Sequence, residues 1–390
     1  MIGLYGGTCN NMYVMAKGLS EQGLSVTFIE DRKDQFPHSQ PVWDDIDCFF
    51  KSGFNYQSIN WDDFEKEYSW IQPDWYIKPI NVVNGEKVIY SSCQISWPIK
   101  LIACKFLMHN KKSLSVFNEM RCCDFLIVCG VEAIIIALLS GKPYLIIPHG
   151  SDMRKAIGAE KDRLGIRAWI FDLLLAYAFK KAITIGSQIP DASAEVATKD
   201  YKRLKNLKVD RIPLPYQHKQ REGPFNRKKK LLALFSEMGF KLPEAELYSF
   251  TPSRISFYWK GHDRLIDAIK EQKDSLKIHF IFLGWGDDYL EAMAYVDKCG
   301  LNNFITILPI FCSKKRLFRL FESVDFIIDE FNGSGSYGTS LSEAMSRGCP
   351  IVTWISDMYN QEGWEAPPVI QARTKNEIAT TINQISSRQV

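Results

Sequence analysis

Short apolar runs closed by glycine or proline recur along the chain, separated by stretches whose apolar positions repeat every three or four residues. "MIGLYG" reads as a first strand. In "NMYVMAKGLSEQG", Met12, Met15, Ala16 and Leu19 fall at i, i+3, i+4 and i+7, an amphipathic helix closed by Gly23. "SVTFIE" is the next strand, followed by "FLIVCG", "YLIIPHG" and "AITIG". This alternation predicts βαβ units on a parallel sheet. After "VDRIPLPY" (209–216) the pattern restarts with "LYSFTPSR", the helix "HDRLIDAIKEQ", then "IHFIFLG", "FITILPI", "VDFIID" and "PIVTWIS". A second α/β domain with its own core is therefore expected, with the boundary near residue 212. The last segment predicts a helix behind the capping box Thr374-Lys-Asn-Glu377, with Ile378, Ile382 and Ile385 on one face.

A length of 390 residues agrees with two domains rather than one. The net charge of +3 gives no push towards nucleic acid, although "KDYKRLKNLK" (199–208) and "NRKKK" (226–230) are locally basic. A solvated surface, an anionic membrane face and a polyanionic substrate each account for such stretches. The ten cysteines are scattered and show no C-x-x-C spacing, which argues against a zinc cage or a redox motif and suits a reducing cytoplasm. The first residues lack a signal-peptide pattern. "FLIVCGVEAIIIALL" (125–139) holds Glu132 and is short for a membrane span, so it reads as strand, turn at Gly130 and buried helix. "RAWIFDLLLAYAFKKA" (167–182) is apolar nearly all round, which favours a core helix over one lying on a membrane.

Candidate chemistry gathers in "DEFNGSGSYGTSLSEAMSRGCP" (329–350), where a strand gives way to glycine and serine and then to a short helix. Leu341 and Met345 mark the buried face of that helix, and Glu343 lies about 200° round from Leu341. Free N–H groups and the positive dipole end at the helix start suit an anion, and glycine lets a phosphate approach closely. A glutamate just inside can accept from ribose hydroxyls. Ser340-Leu-Ser-Glu343 is equally a capping box that needs no ligand. "FTPSRISFYWKGHDRL" sets Arg254 and Lys260 between a strand and a helix, where cations suit a diphosphate leaving group or simply face solvent. "FLGWGDD" brackets another strand end with Gly284 and Gly286. Asp45-Ile-Asp47 has the letters of an Asp-x-Asp metal site but follows "PVW" rather than an apolar strand. "GLYGGTCNN" lacks the G-x-G-x-x-G spacing of a hydride-transfer enzyme.

The order of "SRISFYWKGHDRLIDAI", "FLGWGDDYLEAM" and "GSYGTSLSEAMSRGCPIVT" resembles the nucleotide-binding half of glycosyltransferase family 4. "GGTCNNMYVMAKGLSEQGLSVTFIED", "PVWDD" and "PHGSDMRK" resemble its bacterial polysaccharide-assembly members. The resemblance implies a retaining enzyme of GT-B architecture, with two Rossmann-like α/β domains facing across a cleft. An acceptor-side domain would span 1–212 and a nucleotide-sugar domain 213–373. The terminal segment 374–390 would be able to pack back on the first domain. It further implies Arg254 and Lys260 on the donor phosphates, Glu343 on the ribose, Gly6 and Gly7 near the diphosphate, and His149 near the reacting sugar. The stretch Gly335, Ser336, Tyr337, Gly338 and Thr339 would complete the donor site. Gly335 stands where the family carries its first glutamate, with Asp329 and Glu330 close by but out of register. The implied partners are a nucleotide-diphosphate sugar as substrate and a glycan or lipid-linked acceptor, with no metal or other cofactor and no nucleic acid. The location implied is the cytoplasm, including the inner membrane face. A nucleotide-sugar epimerase and a catalytically silent scaffold of the same fold are the competing readings.

Overall fold

The computed structural model describes residues 1–6, 10–31, 36–51, 53, 58–79, 111–148, 151–157, 166–187, 204, 207–212, 216, 218–332, 338–357, 359 and 365–387. Their strands, in chain order, begin with β1 (Ile2–Tyr5), β2 (Val26–Ile29), β3 (Phe49–Lys51) and β4 (Tyr76–Ile77). β5 (Phe125–Val128), β6 (Tyr144–Ile146), β7 (Thr184–Ser187) and β8 (Val209–Arg211) follow. The next set is β9 (Leu247–Thr251), β10 (Ile278–Leu283), β11 (Ile305–Leu308) and β12 (Ile310–Cys312). β13 (Phe326–Ile328), β14 (Ile351–Thr353) and β15 (Ile370–Gln371) complete it. The chain divides into two compact units, Met1–Val42 with Tyr56–Pro215, and Trp43–Asn55 with Tyr216–Val390.

The first unit holds a seven-stranded parallel sheet in the order β4-β2-β1-β5-β6-β7-β8. Leu4 and Ile127 face one another in the β1–β5 register, and the order reverses between those two strands. The helix Val131–Ser140 is buried over nearly its whole length, which is why its sequence is apolar without a polar stripe. The helix Ile166–Lys181 sends Leu174, Leu175, Ala178 and Phe179 into the same core. No helix among the described residues is long and apolar enough to cross a membrane.

The second unit holds a six-stranded parallel sheet, β11-β10-β9-β13-β14-β15. Alternate residues of β10 supply two separate cores: Ile281 and Leu283 join Phe250, Ile327 and Leu341, whereas Phe280 and Phe282 join Phe326 and Ile328. A sheet buried on both faces reads as continuous apolar runs, as "IHFIFL" does. The strand order is that of a doubly wound dinucleotide fold, whose ligands lie beyond the carboxyl ends of the strands where the order reverses. Here that place lies between β9 and β13.

Two findings change the domain picture. The segment Trp43–Asn55 belongs to the second unit although its sequence lies deep in the first. β3 pairs antiparallel with β12, and the Trp43 ring stacks on Phe50 at 5.1 Å and on Phe311 at 5.5 Å. Asp47 accepts from Arg316 Nε at 2.5 Å and from Arg319 at 2.6 Å. The Asp47 carboxylate is thus engaged by two guanidinium groups.

The second finding concerns the terminal helix, Lys375–Ser386, which is part of the second unit. It packs on the helix His262–Gln272, with Ile378 and Ile382 fully buried beside Leu265 and Ile269. Each such isoleucine contributes roughly 2 kcal/mol, more than the ~1 kcal/mol of the capping box. Apolar burial within its own unit therefore decides where this helix lies.

Candidate functional site

The loops that follow β9 and β13 bring the site together. After β9, Ser253 donates through its N–H and its hydroxyl to the Asp329 carboxylate, at 2.9 and 2.7 Å. Asp329 directly follows β13 and is 1% exposed. Burial raises its pKa, opposed by Lys260 and the Ser253 donors. The chain then forms the short helix Phe257–Lys260, capped by the Ser256 hydroxyl on the Trp259 N–H. Gly261, at φ 74°, stops it and opens the next helix. This places Lys260 beside the end of β13, where the Phe331 N–H donates to the Lys260 carbonyl at 2.8 Å.

Lys260 Nζ pairs with Glu330 Oε1. The other oxygen, Oε2, accepts from the Gly338 N–H at 2.8 Å. Gly338 is the N-cap of the helix Thr339–Ser346 and has no side-chain cap of its own. A lysine and the open end of a helix thus converge on one carboxylate. Glu330 itself adopts φ 62°, a left-handed conformation costing a side chain roughly 1–2 kcal/mol.

Glu343 lies in the same helix and is 2% exposed. Helix geometry sets it about 200° round from Leu341. It is nevertheless buried, because Lys314 pairs with its Oε1 and the Tyr216 hydroxyl donates to the same oxygen at 3.3 Å. The Ser340-Leu-Ser-Glu343 capping box does not form. The helix begins at Thr339, two residues too early for Ser340 to be its cap.

Arg254 is 43% exposed on its side chain, and its guanidinium lies 3.4 Å from Asp287. Gly284 and Gly286 hold the loop after β10 against its neighbours. A Cβ on Gly284 would meet the Leu308 carbonyl at 2.6 Å, and one on Gly286 would meet that of Ile255 at 2.5 Å. Gly286 thereby lets this loop lie on the residue after Arg254. Gly6, at φ 137°, has a similar cause in the first unit, where a Cβ would meet the Cys129 carbonyl at 2.2 Å. Asp152 lies inside the helix Ser151–Ile157 and accepts from the Gly130 N–H at 3.3 Å. Gly7, His149, Gly335, Ser336 and Tyr337 lie outside the described residues.

The structure therefore gathers Lys260 and Gly338 around Glu330, and places Glu343, in the helix that Gly338 caps, against Lys314 and Tyr216. Position after a strand pointed to Arg254 and Lys260. Nothing local pointed to Tyr216 or Lys314, whose roles arise from packing. Glu330 had one usable signal, its place two residues beyond a buried apolar strand.

No family model matches the chain, and no curated protein does either. Solved structures do. Anabaena Alr3699/HepE, solved with UDP and glucose, is similar over 100% of this chain and 90% of its own, at 13% identity and a TM-score of 0.55. The lipopolysaccharide outer core galactosyltransferase WaaB, in apo form, covers 100% and 91%, at 13% identity and 0.52. The catalytic domain of starch synthase IV from Arabidopsis thaliana, bound to ADP and acarbose, covers 99% and 91%, at 11% identity and 0.57. At such identities the likeness speaks for the fold, and that fold is GT-B.

Proposed function

We propose that the chain is a glycosyltransferase that moves a sugar from a nucleotide-diphosphate sugar to a glycan or lipid-linked glycan. One observation carries this reading: a lysine and a helix N-terminus converge on a single carboxylate at the strand-order reversal of a doubly wound sheet. That arrangement suits a phosphate oxygen equally well. Structures of this fold solved with UDP or ADP support the choice of ligand.

In the reaction proposed, the acceptor hydroxyl oxygen attacks the anomeric carbon from the face the diphosphate leaves. The bond from that carbon to the phosphate oxygen breaks with its electron pair on the oxygen, which then takes the acceptor's proton. Configuration is retained, and no carboxylate nucleophile is required. Lys260, Arg254 and the start of the helix Thr339–Ser346 stabilise the charge as it develops. Glu343 takes the ribose hydroxyls, and His149 holds the sugar. Metal independence follows from having these cations in place. Binding at the inner membrane face would bring a lipid-linked acceptor within reach.

Thermal stabilisation by UDP, ADP and GDP and their sugar conjugates, with and without EDTA, tests the reading. One nucleotide should raise the melting temperature, EDTA should leave the shift intact, and Glu343→Ala should abolish it. Lys260→Ala or Arg254→Ala should lower turnover about 100-fold or more. Unchanged turnover in both would remove the phosphate assignment. Binding without transfer would favour the silent scaffold, and sugar inversion without acceptor would favour the epimerase.

A further inference from the structure

We propose, building on the nucleotide-sugar reading above, that Glu330 is a built-in substitute for the donor phosphate, filling its seat until a diphosphate displaces it. The Glu330 carboxylate takes both groups that an entering phosphate oxygen would use, the Lys260 ammonium and the Gly338 N–H at 2.8 Å. Its side chain is 6% exposed, so it sits within the seat rather than over it. A Cβ on Gly338 would stand 2.7 Å from Glu330 Oε1, so a larger residue there would push the carboxylate aside.

The backbone on either side is fixed and the side chain is the part able to move. The Glu330 N–H donates to Asp329 at 2.8 Å, and its carbonyl accepts from the Thr353 hydroxyl at 3.2 Å and the Trp354 N–H at 3.3 Å. These bonds hold φ at 62°, which aims the side chain at Lys260 and Gly338. Rotation about its own side-chain bonds frees the seat without unmaking any of them. Rotation is also required by charge. Lys260 is balanced by Glu330 as the seat stands, and a diphosphate beside an unmoved carboxylate would meet like charge at contact distance. Glu330 therefore lowers the apparent affinity for the donor by the fraction of molecules in which the seat is open.

Calorimetric binding of inorganic pyrophosphate and of UDP, ADP and GDP tests this on the full chain, using Glu330→Gln, Glu330→Ala and Lys260→Ala. Glu330→Gln keeps the shape and removes the charge, and Glu330→Ala empties the seat. Where fewer than about one molecule in ten has the seat open, both should bind roughly tenfold tighter or more than the native chain. Lys260→Ala should bind more weakly. Circular dichroism checks that each variant is folded. If the native chain binds and Lys260→Ala does not, while both Glu330 variants bind equally or more weakly, Glu330 supports the seat and the proposal falls. If neither the native chain nor any variant binds pyrophosphate or a nucleotide, the nucleotide-sugar reading falls with it.

Discussion

The second unit contains two stretches with the same capping letters, Ser340-Leu-Ser-Glu343 and Thr374-Lys-Asn-Glu377, and only one of them closes on itself. At the terminal helix, the Thr374 hydroxyl accepts from the Glu377 N–H, and the Glu377 carboxylate accepts from the Thr374 N–H at 2.9 Å. At the helix Thr339–Ser346 every piece comes from elsewhere. Glu330 accepts from the N–H of the cap residue Gly338, and Glu343 turns to Lys314 and Tyr216. A helix start that its own sequence can satisfy has no need of a distant partner. One capped from a strand end through a lysine can exchange its partner for a ligand.

The largest expected effect follows from the burial of Glu343. Lys314→Met removes its cation and should lower unfolding free energy by about 3 kcal/mol, measured by chemical denaturation. A loss under ~1 kcal/mol would show that Glu343 is not held as a buried ion. Lys260→Met should cost less, about 2 kcal/mol, because Glu330 keeps its bond to Gly338. Adding Glu330→Gln to that variant removes the stranded charge. The double variant should be more stable than Lys260→Met alone, and a cycle without coupling would mean that the two groups do not share one site.

The parts that could be read from the sequence are those set by local pattern. Both sheets are buried by helices, so β1, β5, β10 and β13 announce themselves as apolar runs, and the amphipathic helix Asn11–Glu21 shows its buried Met12, Met15 and Ala16 by spacing. Gly6, Gly284 and Gly286 were found by type, yet close backbone approach accounts for each of them. The clasp of Trp43–Asn55 could not be read, because β3 finds its partner at β12 and Asp47 its arginines beyond that strand. Glu330 was hidden for a related reason. Its role depends on a left-handed φ and on a bond from the Gly338 N–H, neither of which a spacing rule records.

Acid should separate the two caps next. Burial lowers the pKa of His262 and His279 from 6.5 to about 4. The unfolded chain takes up these protons near 6.5 and the native chain only near 4. Between those values the unfolded state holds more protons, so stability present above pH 6.5 is lost as pH falls towards 4. Lys260, Asp263 and Glu330 are the charged groups that act on His262, so its protonation strains the long-range cap first. Glu377 has a pKa lowered from 4.5, mainly by the Thr374 and Arg373 N–H groups, and its contribution persists until the pH falls below that range. Hydrogen exchange from pH 7 to pH 4.5 should therefore loosen the amides near Gly338 before those at Lys375–Glu377. The reverse order would count against neutral, buried His262.

The smallest effect belongs to the local cap. Thr374→Ala removes one side-chain bond at an exposed helix start and should cost about 1 kcal/mol. Ile378 and Ile382 stay buried and keep the helix docked, so the loss should appear as faster exchange in its first turn rather than as detachment. Nucleotide affinity should not change, because nothing in that box reaches Lys260, Gly338 or Glu343. Equal losses of stability in Thr374→Ala and Lys314→Met would erase the contrast between a cap its own sequence completes and a helix start that depends on distant groups. A loss confined to the terminal helix would make the open start of Thr339–Ser346 the place where folding and ligand binding draw on the same donors.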